Sequence, residues 1–212
     1  MSKPLLVVGA GGHARVLIDA LRQGRHSVAG LLDADPSLTG ERVMGFPVIG
    51  TDDALAGYHP EEVLLVNGLG SVASTARRKE LYLQLHLRGY RFATVLHPFS
   101  SIACDVELGD GTQVMAGAVL QVGVRVGVDC IINTRASIDH DCIIGNHVHI
   151  APGVTVSGGV CIEDDVHVGT GATLIQGLYI GRGSTIGAGS VVLRNVSPGA
   201  TAYGVPAREV AR

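Results

Sequence analysis

From Ile102 to Val192 every sixth residue is a branched apolar one: Ile102, Leu108, Val114, Leu120, Val126, Ile132, Ile138, Ile144, Ile150, Val156, Ile162, Val168, Leu174, Ile180, Ile186 and Val192. Four residues after each comes a second small or branched side chain, such as Ala118, Cys130, Cys142, Val154, Ala172 and Ser184. A period of six fits neither an α-helix nor an alternating strand, and it is the signature of a parallel β-helix. Each hexapeptide is expected to form one short strand and one corner, three to a coil, with aliphatic residues stacked on copies of themselves. Glycines that follow the large residues, at Gly109, Gly127, Gly145, Gly169, Gly181 and Gly187, are expected to relieve the backbone at tight corners. Between residues 101 and 200 the only aromatic is Tyr179, as a narrow core requires.

Ahead of the repeat the pattern changes. Leu5 to Val8 form an apolar run, then Gly9-Ala10-Gly11-Gly12-His13-Ala14, then Val16, Leu17, Ile18, Ala20 and Leu21 at helical spacing with Gly24 as a stop. A strand from Ser27 to Leu32 ends at Asp33. Strand, glycine turn, helix, strand and acid have the spacing of a Rossmann unit, in which backbone N–H groups approach a pyrophosphate and the acid meets a ribose or base. A turn with a solvated Asp is the plainer alternative. Thr51, Asp52 and Asp53 look like the cap of a short helix, Val63 to Val66 a buried strand closed by Asn67-Gly68-Leu69-Gly70, residues 74–88 a helix, and Arg91 to Leu96 a last strand. A small α/β sheet covered on both faces is therefore expected over residues 1–96, the β-helix over 97–196 after the His97-Pro98 hinge, and a tail over 197–212.

The 212 residues carry a formal net charge of −3, so nothing points to nucleic acid. Arg77, Arg78, Lys79 and Arg88 are expected on a solvated helix face. The mean hydropathy of +0.34 comes from the Val-rich repeat; no apolar stretch is long enough to span a membrane and no signal peptide is seen, so a cytoplasmic protein is expected. Cys104, Cys130, Cys142 and Cys161 lack zinc-type pairing, and Cys130 and Cys142 fall on inward packing positions.

A dry, filled β-helix places its chemistry on outer faces and corners. Polar residues break the pattern at Asn133-Thr134, at Asp139-His140-Asp141, and at His147 and His149. His140 points outward beside carboxylates, which stabilise an imidazolium and orient the ring of a general base. His149 lies half a coil further on, so the two histidines are expected to meet only across a subunit boundary. His167 stacks one coil above His149.

Gly11-Gly12-His13, Asp33, Asn133-Thr134, Asp139-His140-Asp141-Cys142, His149-Ile150-Ala151-Pro152-Gly153 and Gly204-Val205-Pro206-Ala207 together resemble the sugar O- or N-acyltransferases of the sialic acid and bacillosamine type, within the hexapeptide-repeat acyltransferases. The resemblance implies a left-handed β-helix, a homotrimer, and acetyl-CoA held between neighbouring coils of two subunits. It implies that His140 is the base, that Asp141 raises its basicity, and that Asn133 lies near the reacting centre. His149, Thr170 and Ala188 would contact acetyl-CoA, and Gly11, Gly12, His13, Asp33 and Gly70 would hold a nucleotide-sugar. The implied reaction is N-acetylation of the C4 amine of a nucleotide-linked 4-amino-4,6-dideoxyhexose for a surface glycan, without a metal. Family members specific for uridine often carry two adjacent acids after the second strand; here the run is Asp33-Ala34-Asp35, so GDP stands beside UDP and dTDP. Alternatives are a sialic acid O-acetyltransferase, a γ-carbonic-anhydrase-like zinc enzyme using His147, His149 and His167, an NAD-dependent oxidoreductase built on the glycine turn, and a sugar-binding protein without turnover.

Overall fold

The structure, a computed structural model, describes residues 3–72 and 74–210. The first part is a five-stranded sheet containing β1 (Leu5–Val8), β2 (Val28–Leu32), β3 (Arg42–Val43), β4 (Phe46–Gly50) and β5 (Leu64–Asn67). Its order is β3-β4-β2-β1-β5, parallel except for the β3-β4 hairpin. Successive side chains of β1 enter opposite layers. Leu5 and Val7 join Leu17, Ile18 and Leu21 of α1 (Gly12–Gln23), whereas Leu6 and Val8 join Tyr82 and Leu85 of α2 (Ala76–Leu87). This is a Rossmann-like domain. The chain moves from β1 to β2 on one side and returns with β5 on the other, so a crevice opens at the carboxyl ends of β1 and β5.

Several local expectations change. The segment after Thr51 is a 3-10 helix, Asp52–Gly57, and Thr51 makes no side-chain cap. Of the run from Arg91 to Leu96, only Val95–Leu96 is a strand, and it pairs with Gln113–Val114, so the first coil takes in residues assigned above to the N-terminal domain. Residues from the proposed tail form a hairpin, Thr201–Gly204 with Ala207–Val210, on the edge strand Thr185–Ile186.

The second part is a parallel β-helix of two-residue strands in three sheets, every strand from Gln113–Val114 to Thr173–Leu174 pairing with those eighteen residues before and after it. Ile132, Ile138, Ile144, Ile150, Val156, Ile162, Val168 and Leu174 all lie inside, with Ala118, Cys130, Cys142 and Val154 between them. Two glycine columns serve different ends. At Gly109, Gly127, Gly145 and Gly169 an added Cβ would lie 2.5–2.6 Å from an atom of the adjacent coil, so close approach of the next coil, not a turn, requires glycine there. The left-handed corner lies two residues later, with positive φ at Gly111, Gly117, Gly123, Gly153 and Gly159, and in the same column at Asp129, Arg135, Asp141, His147 and Asp165. No helix among the described residues is long and apolar enough to cross a membrane.

Candidate active site

At the carboxyl ends of β1, β2 and β5 lies a cavity of about 500 Å³ lined by the glycine turn, Asp33, Asp52, Gly68–Gly70 and, from α2, Arg77, Glu80 and Gln84. α1 starts from Gly11 with no side-chain cap and no acid in its first turn, leaving its first amides for an anion. A Cβ at Gly11 or Gly12 would meet nothing within 4 Å, so these glycines leave open space rather than serve internal packing. Asp33 does line the cavity, but its oxygens already accept from the main-chain N–H of Ala10 (2.7 Å) and of Asp35 (3.0 Å), which fixes the turn. Burial and the neighbouring Asp33 raise the carboxyl of Asp52 above its ordinary range.

The corner at 139–141 is the opposite kind of place. His140 and Asp141 are exposed, with His140 Nδ1 2.9 Å from Asp141 Oδ2 and the His140 amide donating to Asp139 Oδ1 at 2.8 Å. The bond to Asp141 raises the imidazole above its ordinary pKa. Two glycines make room for the pair. A Cβ on Gly158, one coil on, would lie 2.5 Å from His140 Nε2, and one on Gly123, one coil back, 2.5 Å from Asp141 Oδ1. Neither role was foreseen from the sequence.

A third cluster joins the two domains. Arg78, expected in solvent, is buried: its Nη2 is 2.8 Å from Asp129 Oδ1, and its Nη1 donates to the carbonyls of Asn67 (2.9 Å) and Leu69 (2.7 Å). Docking of α2 on the β-helix removes that face from water. Asp129 also meets His147 Nδ1 at 3.1 Å and accepts from Asn67 Nδ2 at 3.1 Å. Lys79 reaches both oxygens of Asp165 at 2.7 Å. Gln113 Nε2 donates to Asn67 O at 2.8 Å, which turns its amide oxygen to His13 Nε2, 2.7 Å away. Burial and the Arg78 charge push His13 down to about 4, so the ring is neutral with its proton on Nε2.

His149 is buried in this seam with both ring nitrogens engaged, Nδ1 2.5 Å from Ser71 Oγ and Nε2 3.1 Å from Asn133 Nδ2. Burial and the nearby His167, His13 and Arg78 push its pKa down to about 3. Its ring meets that of His167 edge-on at 5.0 Å. Among the described residues no group of three or more His, Cys, Asp or Glu is arranged to hold a metal; His147 turns to Asp129 while His149 turns to Ser71 and Asn133. The zinc alternative thus loses its converging ligands. Thr170 and Ala188 lie exposed at stacked corners, the Thr170 carbonyl accepting from the Gly189 amide at 2.8 Å. The structure brings Asn133 to His149 and Gly70 to His13, and leaves His140 apart from both and from the cavity.

A parallel β-helix of hexapeptide repeats with an acid-paired imidazole at one corner, preceded by a Rossmann-like domain with an open glycine turn, has the parts of a hexapeptide-repeat acyltransferase. The family model for the PglD N-terminal domain matches residues 4–85. PerB from Caulobacter crescentus, solved in complex with CoA and GDP-perosamine, is 33% identical over 100% of this chain and 99% of that one, with a TM-score of 0.90. The acetyltransferase domain of PglB from Neisseria gonorrhoeae is 32% identical over 99% of this chain and 100% of that one, at 0.90. WeeI from Acinetobacter baumannii is 28% identical over 99% and 100%, at 0.87. A comparison with curated proteins gave no match. The chain belongs to the sugar N-acyltransferases of the hexapeptide-repeat family.

Proposed function

We propose that the protein transfers the acetyl group of acetyl-CoA to the C4 amine of a nucleotide-linked 4-amino-4,6-dideoxyhexose, with GDP-perosamine as the leading type and a surface glycan as its destination. The observation that carries this is the His140–Asp141 pair, set at a corner of a fold that matches, end to end, an enzyme solved with CoA and GDP-perosamine. The PglB acetyltransferase domain, solved with acetyl coenzyme A, supports the donor.

In this reading Asp141 accepts from His140 Nδ1–H and leaves Nε2 as the base. Nε2 takes a proton from the sugar amine as nitrogen attacks the thioester carbonyl; the C–N bond forms, the C–S bond breaks, and the proton passes to the departing thiolate. Main-chain N–H groups at the corners are suited to the tetrahedral oxyanion. The glycine turn at Gly11, Gly12 and His13 holds the diphosphate, and Asp33 and Gly70 border the nucleotide. Thr170 and Ala188 line the acetyl-CoA path. Since both nitrogens of His149 are engaged within the chain, what it offers the thioester is its ring edge. Asn133 acts beside it.

The assembly belongs to this proposal too: a left-handed β-helix in a homotrimer. Within one chain the cavity and His140 share no lining residue, and Val122 and Ile143, beside the His140 corner, are 54% and 52% exposed. A neighbouring copy would cover these and bring a second site to His140. Dependence on acetyl-CoA favours the cytoplasm. The test is thiol release from acetyl-CoA with GDP-, UDP- and dTDP-linked 4-amino sugars and free sialic acid; turnover with sialic acid alone would replace the amine by a hydroxyl acceptor.

A further inference from the structure

We propose that Ser71 is a directed hydrogen-bond donor to the sugar of the nucleotide-linked substrate, its hydroxyl proton turned outward by His149 and Asn133; this rests on the transferase reading above.

The direction follows from a chain of donors with one fixed end. Asn133 Oδ1 accepts the Thr134 amide at 2.8 Å, so the Asn133 group facing the ring is its NH₂. That NH₂ lies 3.1 Å from His149 Nε2, which must accept. A ring proton on Nε2 would set two donors against each other. The imidazole is neutral, because it is buried and the groups around it are histidines and an arginine, so its single proton sits on Nδ1. Nδ1–H donates to Ser71 Oγ at 2.5 Å. The Ser71 oxygen is therefore the acceptor in that bond, and its own proton points elsewhere. Among the described residues it has no acceptor.

The placement says what it meets. Ser71 follows Gly70, which is part of the cavity wall, on a loop that Arg78 clamps through the carbonyls of Asn67 and Leu69. The cavity's anion-binding end is the glycine turn and the start of α1. Ser71 lies beyond the cavity lining on the β-helix side, against His149, where a sugar attached to the diphosphate would extend. Sugar hydroxyl and ring oxygens accept hydrogen bonds, and a donor fixed by two rigid partners loses little entropy on binding. Ser71 is thus a specificity-determining residue for the sugar, and Asn133 and His149 are positioning residues that act through it.

The test uses the full chain, unaltered and as Ser71→Ala, with calorimetry on the free nucleoside diphosphate that the unaltered protein prefers and steady-state kinetics on the matching nucleotide-sugar. The expected result is diphosphate binding unchanged, KM for the nucleotide-sugar raised about tenfold, and KM for acetyl-CoA unchanged. Equal weakening toward the free diphosphate would overturn the proposal, as would no change toward either ligand. Retained diphosphate binding also shows that the variant's cavity is folded. Independently, ¹⁵N spectra of histidine-labelled protein, assigned with His149→Gln, should report an Nδ1–H tautomer for His149; an Nε2–H tautomer overturns it. If the unaltered protein turns over no nucleotide-sugar, the transferase reading itself fails, and that result does not involve the Ser71 variant.

Discussion

Two histidines nine residues apart in the repeat sit in opposite environments. His140, exposed and bonded to Asp141, has its pKa raised; His149, buried between Ser71 and Asn133, is pushed down to about 3. An imidazole in water beside a carboxylate can take and return a proton. One sealed in a seam beside histidines and an arginine keeps a fixed tautomer and serves as a geometric part. In the proposed mechanism the same residue type therefore serves as a base at one corner and as a strut at the neighbouring face.

Removing the base tests this contrast most strongly. His140→Ala should lower kcat/KM by a factor of about 10² to 10⁴, the usual worth of a positioned general base. Because the ring is exposed, the melting temperature should hardly move. Thiol-release kinetics beside a thermal melt check both, and near-normal turnover in a folded protein would remove His140 from the mechanism.

The second test makes one substitution at two left-handed corners, Asp129 and Asp141, where Asn keeps the backbone tolerance. Asp129→Asn leaves the Arg78 guanidinium buried without its counter-charge and should cost about 3–5 kcal/mol of unfolding free energy. Urea unfolding measures it. A loss below about 1 kcal/mol would mean that water reaches the seam, and Arg78 would then be no more than a surface pair.

Acid separates the two histidine environments again. His13 and His149 have pKa values of about 4 and about 3 in the folded chain, against an ordinary 6.5. The unfolded chain binds these protons first, so their contribution to stability is complete above about pH 6.5 and is lost as the pH falls toward 4 and then 3. Each adds a slope of about 1.4 kcal/mol per pH unit within its window. Relative to the unaltered protein, His149→Gln should flatten the decline in unfolding free energy between pH 6 and 4 without abolishing it, since His13 remains. A decline that keeps its full slope would place His149 in contact with solvent.

Much of this was legible in the chain, and the exceptions have physical reasons. The aliphatic column announced the β-helix because stacking coils makes every inward position repeat. The left-handed column is equally periodic. Its glycines give way at Asp129, Arg135, Asp141, His147 and Asp165, and four of these five side chains are paired: Asp129 with Arg78, Asp141 with His140, His147 with Asp129 and Asp165 with Lys79. A non-glycine residue in a strained slot is a signal of use, and attention to it would have found Asp129. Arg78 was not legible, because its helix reads as solvated until a β-helix coil 51 residues away covers it. Gly158 and Gly123 were equally hidden, since what they avoid is a side chain on a neighbouring coil.

The smallest effect is the sharpest for mechanism. Asp141→Asn leaves His140 in place but removes the charge that favours its imidazolium, so the pKa should fall back toward the ordinary value. The neutral ring is the active form of a base. In the unaltered protein kcat/KM should therefore decline as the pH drops through the raised pKa, and in the variant that acid limb should move to lower pH. On the plateau above both values the weaker base should lose about two- to fivefold, the scale of an exposed pair, with stability unchanged. Profiles of kcat/KM from pH 5 to 9 for the two proteins decide it. A limb that stays fixed would mean the titrating group is not His140, and one that moves to higher pH would mean Asp141 opposes the charge on the ring.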